Sequence, residues 1–274
     1  MYVTATGMIP EVARWRFGNL GQLATAPALG TFARVEFEVN LIVSGTGSAA
    51  AQRRLRWSRA GSLLLDPQLV NNDVKIFYPG PGQGPQHPCT AGPPAGSQNR
   101  FRRGHFQNQF KCNVFALDIA WRSGFRVPLS NIHTSANPCY SYPLANTLTA
   151  YAERAFVNGN TNLTGTNGTQ WGWTDTYFGA DLINDWIAQG SLELLVGSRR
   201  SGTGHVGIIS HVRSIVTDAT NHITDITYDG WEATGRSGAT PVTNKRWRTT
   251  DFNIIHIIGL VSEVIEANRS VVTA

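Results

Sequence analysis

The chain of 274 residues holds three cysteines, Cys89, Cys112 and Cys139, and seven histidines. One cysteine stands where a thiol becomes a nucleophile. In "NQFKCNVFALDIAWRSGF", residues 108–125, Phe115, Ile119 and Trp121 fit one broad helical face and Gly124 is a natural stop. Cys112 then lies in the first turn or at the N-cap. Unpaired N–H groups and the helix dipole there favour thiolate over thiol. Packing alone also explains many cysteines, since free Cys is among the most buried residue types. A nucleophile further needs a base, usually His. His205, in "SGTGHVGIISHV", follows a Gly-rich turn and begins a strand continued by Val206, Ile208 and Ile209. Rigid backbone would hold its side chain while the glycines let another group approach. His211 reads as a surface or rim residue. The base needs an orienting group that fixes its tautomer. The next strand, "HITDITYDGWEA", offers Asp225, Asp229 and Glu232. If it returns beside the His205 strand as a hairpin, Asp229 and Glu232 lie at the end nearest His205. Asp229 is the first choice and Glu232 the second.

The elements that must position these groups are unevenly legible. Residues 1–30 are broken by Gly and Pro. "TFARVEFEVNLIVSG" alternates at period two and predicts a strand, "RRLRWSRAGSLLLD" another, and "DVKIFYPG" a short third. Residues 79–96, "PGPGQGPQHPCTAGPPAG", form a Pro/Gly-rich loop and the clearest boundary. The division expected is a β-rich extension over 1–100 and a second domain over 101–274. In the latter, "LANTLTAYAERAF" and "GADLINDWIAQG" have helical periodicity. "NGNTNLTGTNGTQWGW" reads as a polar loop. "LELLVGS", "HVGIISHVRSIVTD", "ITDITYDGWEA" and "FNIIHIIGLVSEVI" read as strands. Helices precede strands, so the class expected is α+β.

Composition narrows the partners. A chain 41% hydrophobic and 15% charged can bury a core, and a net charge of +5 suits an acidic polymer: nucleic acid, anionic headgroups or cell wall. No RNA-binding aromatic signature or phosphate loop supports nucleic acid. The strongest apolar run, "IIHIIGLV", is too short to span a bilayer. The start lacks a basic region followed by an apolar one, so no secretory signal is expected. No metal site is expected, because C-x-x-C and H-x-x-x-H spacings are absent, and no cofactor is implied. Cys89 ("HPC") and Cys139 ("NPC") share a loop-like setting, and a disulfide between them is one hypothesis.

"KCNVFALDIAWRSG" resembles the nucleophile helix of the NlpC/P60 and CHAP papain-like amidases, and is similar to the "KCNxFVxDV" form of cell-wall amidase effectors of the type VI secretion system. "GHVGII" resembles their "GHVAIV" strand, and the order Cys, His, then a polar residue on the following strand agrees. The resemblance covers roughly residues 105–260; residues 1–100 have no counterpart in it. It implies a papain-like fold, with Cys112 as nucleophile, His205 as base and Asp229 as third member. The substrate implied is a peptidoglycan stem peptide, commonly the γ-D-glutamyl–diaminopimelate bond. It further implies export by a specialised secretion system to a periplasm or cell wall, and an immunity protein as partner. Helix N-terminal N–H groups would stabilise the oxyanion, with help from Gln109. Trp171, Trp173 and Trp231 flank the site in sequence; Trp173 and Trp231 are candidates to line a muropeptide cleft, though such residues commonly pack a core. Two other readings stay open. Acyl transfer or protein deamidation would keep the Cys–His pair and change the chemistry. A non-enzymatic, basic wall-binding protein would carry an unreactive Cys112.

Overall fold

The computed structural model describes residues 26–61, 110–131, 140–166, 168–174, 179–199, 201–262 and 272–273. Five helices pack on a seven-stranded antiparallel sheet, which makes the chain α+β. The helices are α1 (Phe32–Val43), α2 (Gly47–Leu55), α3 (Cys112–Arg122), α4 (Ala145–Val157) and α5 (Ala180–Ala188). A small sheet joins β1 (Pro128–Asn131) to β2 (Tyr140–Ser141) and, in parallel, to β10 (Val272–Thr273). The large sheet contains β3 (Asn162–Thr164), β4 (Gln170–Trp173), β5 (Leu192–Ser198), β6 (His205–Thr217), β7 (Ile223–Thr234), β8 (Gly238–Arg248) and β9 (Ile254–Leu260). Its order is β3-β4-β9-β5-β6-β7-β8.

The polar stretch 158–173, expected as a loop, contains the β3–β4 hairpin. Strand β8 was not foreseen, because its exposed half is polar and shows no apolar alternation; Arg246 and Arg248 there face Asp225 on β7. The Pro/Gly-rich boundary, Cys89, Cys139 and the predicted strand "DVKIFYPG" lie outside the described residues.

The largest departure is at residues 31–45, expected as a strand and found to hold α1; of 53–66, also expected as a strand, 53–55 end α2 and 62–66 lie outside the described residues. Thr31 caps α1, its Oγ1 accepting from the Arg34 amide at 3.2 Å. The face that α1 buries is Phe32, Val35 and Val39, spaced at three and four, beside Arg34 and Glu38. The alternating apolar residues Phe37, Leu41 and Val43 imitate a strand only if this charged pair is read as solvent-facing. Instead Arg34 Nη2 donates to Glu38 Oε1 at 2.7 Å, and Arg122 of α3 donates to Glu38 Oε2, also at 2.7 Å. All three side chains are buried. Glu38 thus clamps α1 to the far end of the Cys112 helix. Trp57 adds an edge-on contact to Phe115 with ring centroids 5.1 Å apart. Phe32, Val35, Val39 and Trp57 belong to the same apolar core as α3 and the sheet.

Helix α3 is buried nearly all round, with Trp121 its one partly exposed residue. That is why its sequence gave a mixed periodic signal.

Two stability predictions follow from these buried charges. Glu38→Ala leaves two buried guanidiniums facing each other, and chemical denaturation should show a loss of about 3–5 kcal/mol. Glu193 is fully buried on β5; it accepts from Ser191 Oγ at 2.6 Å, while its Oε2 has no hydrogen-bond partner. Burial pushes its pKa up from 4.5 to about 7, against the opposing Ser191 hydrogen bond. The folded protein therefore holds this proton where the unfolded chain has released it. The stability from the neutral carboxyl is fully present below the unfolded value and declines as pH rises to about 7, by roughly 3 kcal/mol. Glu193→Gln should remove that part of the pH dependence in denaturation curves.

Candidate active site

Helix α3 begins with its reactive end open. Its N-cap residue, Lys111, makes no side-chain cap, and Cys112 is the first helical residue. Lys111 instead turns inward, where its Nζ donates to the Ser58 carbonyl at 2.5 Å. Burial lowers its pKa to about 8. Asn113 donates from Nδ2 to the Pro143 carbonyl at 2.8 Å, tying the same turn to the start of α4. The helix entrance is thus fixed by side chains on both sides of Cys112, without a side-chain cap from Lys111. The backbone amides of Asn113 in the helix and Val206 on β6 favour the charged form of the Cys112 sulfur.

His205 arrives at Cys112 as the first residue of β6. The loop before it is held by Asn146 of α4. Its Nδ2 donates to the Gly202 carbonyl at 3.0 Å, and its Oδ1 accepts from the Arg199 amide at 3.1 Å. Gly204 sits at φ +68°, and a Cβ there would lie 2.4 Å from Asn146 Oδ1. Glycine is required at that position on both counts. The His205 Nε2 lies 3.2 Å from Glu232 Oε2, an ion-pair contact that leaves Nδ1 for the thiol. Cys112 is only 3 % exposed, whereas the His205 side chain is 18 % exposed, so solvent reaches the pair from the imidazole side.

Burial by itself would raise the Cys112 pKa. The charge and hydrogen bond of His205, with the Val206 and Asn113 amides, outweigh burial and bring the thiol below its ordinary value. For His205, burial opposes the charged form, but Cys112 and Glu232 together lift its pKa to about 10. The two shifts describe one coupled object, and both favour the charged pair of thiolate and imidazolium. Such an arrangement can attack a carbonyl carbon and then deliver a proton to the leaving atom.

The third position corrects the first choice made from sequence. Asp229 does not face His205. Its carboxylate accepts from Arg213 Nε and Nη2 at 2.8 and 2.6 Å, and from the Asn244 amide at 2.8 Å. Strand register decides the matter. Gly207 pairs with Glu232, and side chains alternate along a strand, so Glu232 shares the face of His205 and Asp229 falls on the other. The hairpin end was foreseen; the parity was not.

The two tryptophans are corrected as well. Trp231 immediately precedes Glu232 and projects from the opposite face, where its ring meets Phe32 at 6.3 Å. Trp173 lies over Gly259 near the β3–β4 edge of the sheet, three strands from β6, and strand pairing sets it level with Ile209 rather than His205. Trp171 is buried in the core and His211 is exposed. Gln109 lies outside the described residues. No group of His, Cys, Asp and Glu suited to a metal ion occurs among the described residues.

Sequence reasoning missed the residues around the pair. Phe110, two positions before Cys112, is 45 % exposed, with the Arg59 guanidinium 5.2 Å from its ring centre. On the other side Arg199 lies over Phe252 at 4.7 Å, and Phe252 stacks on Trp247, which is beside His205. Lys245 Nζ is 3.8 Å from Glu232 Oε2. Cationic groups therefore stand on several sides of the Cys–His pair.

No family model matches the chain, and neither a curated protein nor a solved structure is found to be similar to it.

The choice between the two carboxylates can be read from His205 itself. A charge-assisted hydrogen bond contributes roughly 1.5–3 kcal/mol, or about 1–2 pH units. Glu232→Gln should lower the His205 titration by that amount in NMR spectra of labelled histidine, while Asp229→Asn should leave it in place.

Proposed function

We propose that the protein is a cysteine-dependent amidase that hydrolyses an amide bond in peptidoglycan stem peptides, on a papain-like fold of the NlpC/P60 kind. The observation that carries this reading is the line of groups Cys112, His205 and Glu232, with the thiol at an uncapped helix N-terminus. The reading is supported by the "KCNVFALD" and "GHVGII" segments, which resemble those of that family and carry Cys112 and His205.

In the proposed reaction the Cys112 thiolate adds to the amide carbonyl carbon. The oxyanion that forms is met by backbone N–H groups at the start of α3. His205, as imidazolium, gives its proton to the amine, the C–N bond breaks, and a thioester to Cys112 remains. Neutral His205 then takes a proton from water, hydroxide adds to the thioester, and the acid departs as the thiolate returns. Glu232 keeps the imidazole in one orientation and stabilises its charged form. The cations around the site, Arg59, Arg199 and Lys245, together with the net charge of +5, suit a stem peptide rich in carboxylates. An immunity protein and delivery to a cell wall belong to the same proposal and rest on the resemblance alone.

Digestion of purified sacculi tests it. Wild-type protein should release new stem-peptide fragments whose masses name the bond. Cys112→Ser and His205→Ala should each reduce release by roughly 10³-fold or more. Equal release by Cys112→Ser would exclude the mechanism. No release by a folded wild type that retains a reactive thiolate would move the assignment to acyl transfer or protein deamidation.

A further inference from the structure

Glu232 receives more than His205. Its two oxygens are used differently. Oε2 faces His205 Nε2 at 3.2 Å, with Lys245 Nζ at 3.8 Å. Oε1 accepts from the Tyr228 hydroxyl at 2.5 Å and from the Trp247 indole N–H at 3.1 Å. An indole N–H can only donate, so Oε1 must be an acceptor. With Oε1 already accepting from Trp247 and Oε2 facing His205, the phenol is the donor in the Tyr228 contact. The carboxylate, 1 % exposed, is thereby held at both ends.

The three strands build this arrangement together. Tyr228 lies four residues before Glu232 on β7, on the same face. Its hydroxyl reaches over Gly207 of β6, where a Cβ would sit 2.4 Å from it. Trp247 comes from β8, and besides donating to Glu232 its ring lies 5.4 Å from the His205 ring and stacks on Phe252 at 4.3 Å. The titratable and charged groups facing the carboxylate are Tyr228 on its own strand, His205 from β6 and Lys245 from β8, with the Cys112 thiol of α3 beyond His205.

We infer that Tyr228 and Trp247 are positioning residues of the active site, which keep Glu232 ionised and commit its second oxygen to His205. The physical ground is that a buried carboxyl tends to take up a proton, and donors to the charged form oppose this. A protonated Glu232 could not stabilise an imidazolium at Oε2. Consistent with this, burial raises the Glu232 pKa, but His205, Tyr228 and Lys245 together hold it below the ordinary glutamate value. The Tyr228 phenol, buried beside that charge, is pushed well above its own ordinary value and stays a donor. The inference rests on the catalytic reading of Cys112 and His205 for its consequence in turnover; its effect on Glu232 is independent of any substrate.

The test is therefore made without one. Carbon NMR of side-chain-labelled glutamate reports the Glu232 titration, assigned by its loss in Glu232→Gln. In the wild type it should lie below the ordinary glutamate range. Tyr228→Phe keeps the ring and removes the donor, and should raise the Glu232 midpoint by about one to two pH units, as should Trp247→Phe. Gly207→Ala crowds the phenol without removing it and should act in the same direction. A His205 titration that falls in step with these changes completes the expected result. A merely structural tyrosine would tolerate the Phe variant silently. An unchanged Glu232 midpoint in folded Tyr228→Phe overturns the inference, as does a wild-type Glu232 that titrates in the ordinary range. Failure of sacculus digestion would leave these titrations as they are, so the two readings fail separately.

Discussion

A carboxylate removed from water must be satisfied by its neighbours, and much of this protein is arranged around that demand at Glu232. His205, Tyr228, Trp247 and Lys245 reach it from three adjacent strands. The negative charge so held is what allows an imidazolium to persist at a largely buried site, and the imidazolium in turn allows a thiolate at Cys112. Take away the carboxylate and desolvation favours the neutral thiol and neutral imidazole. The charges along the line are therefore mutually dependent, and the β6–β7–β8 register is the framework that makes them meet.

The helix that carries Cys112 is under a similar constraint at its other end. Arg122 shares Glu38 with Arg34, and all three are buried. A buried ion network adds little net stability compared with an apolar core, but it is unforgiving of misplacement. Here it sets α1 against α3 in one register. At the near end, Lys111 bonds to the chain just past α2, and Asn113 to the chain just before α4. The Cys112 helix is thus held at each end by polar contacts with segments distant in sequence, and along its length by the core. Residues 32–59 are part of this support, since their buried side chains join the core that α3 and the sheet share.

The surroundings of the pair bear on what it would accept. Arg59 lies over the exposed Phe110 ring, and Arg199 over the buried Phe252 ring, so guanidinium groups stand at both places. The structure does not bring Trp173 and Trp231, selected from sequence to line a cleft, to the Cys–His pair.

Much of the chemistry was legible in the order of residues. A cysteine at the start of a helix, a histidine after a glycine turn, and carboxylates on the following strand are local patterns, because helix starts, turns and strand periodicity depend on neighbours in sequence. Four long strands and the helices α3, α4 and α5 were readable for the same reason. What local pattern left open needed distant contacts. Asp229 and Glu232 are equally plausible until strand pairing sets the parity, and pairing is decided between chains of atoms far apart in sequence. Residues 32–43 alternate like a strand, yet form a helix whose buried face includes Glu38, and its partner Arg122 lies 84 positions away. Tyr228 and Trp247 carry no motif, and only the packing of three strands brings both to one oxygen. The sequence by itself determined which reactive groups the protein has and the local elements that present them; the tertiary structure alone decided which carboxylate completes the line and what holds it there, because buried charges are selected by partners that only folding brings within reach.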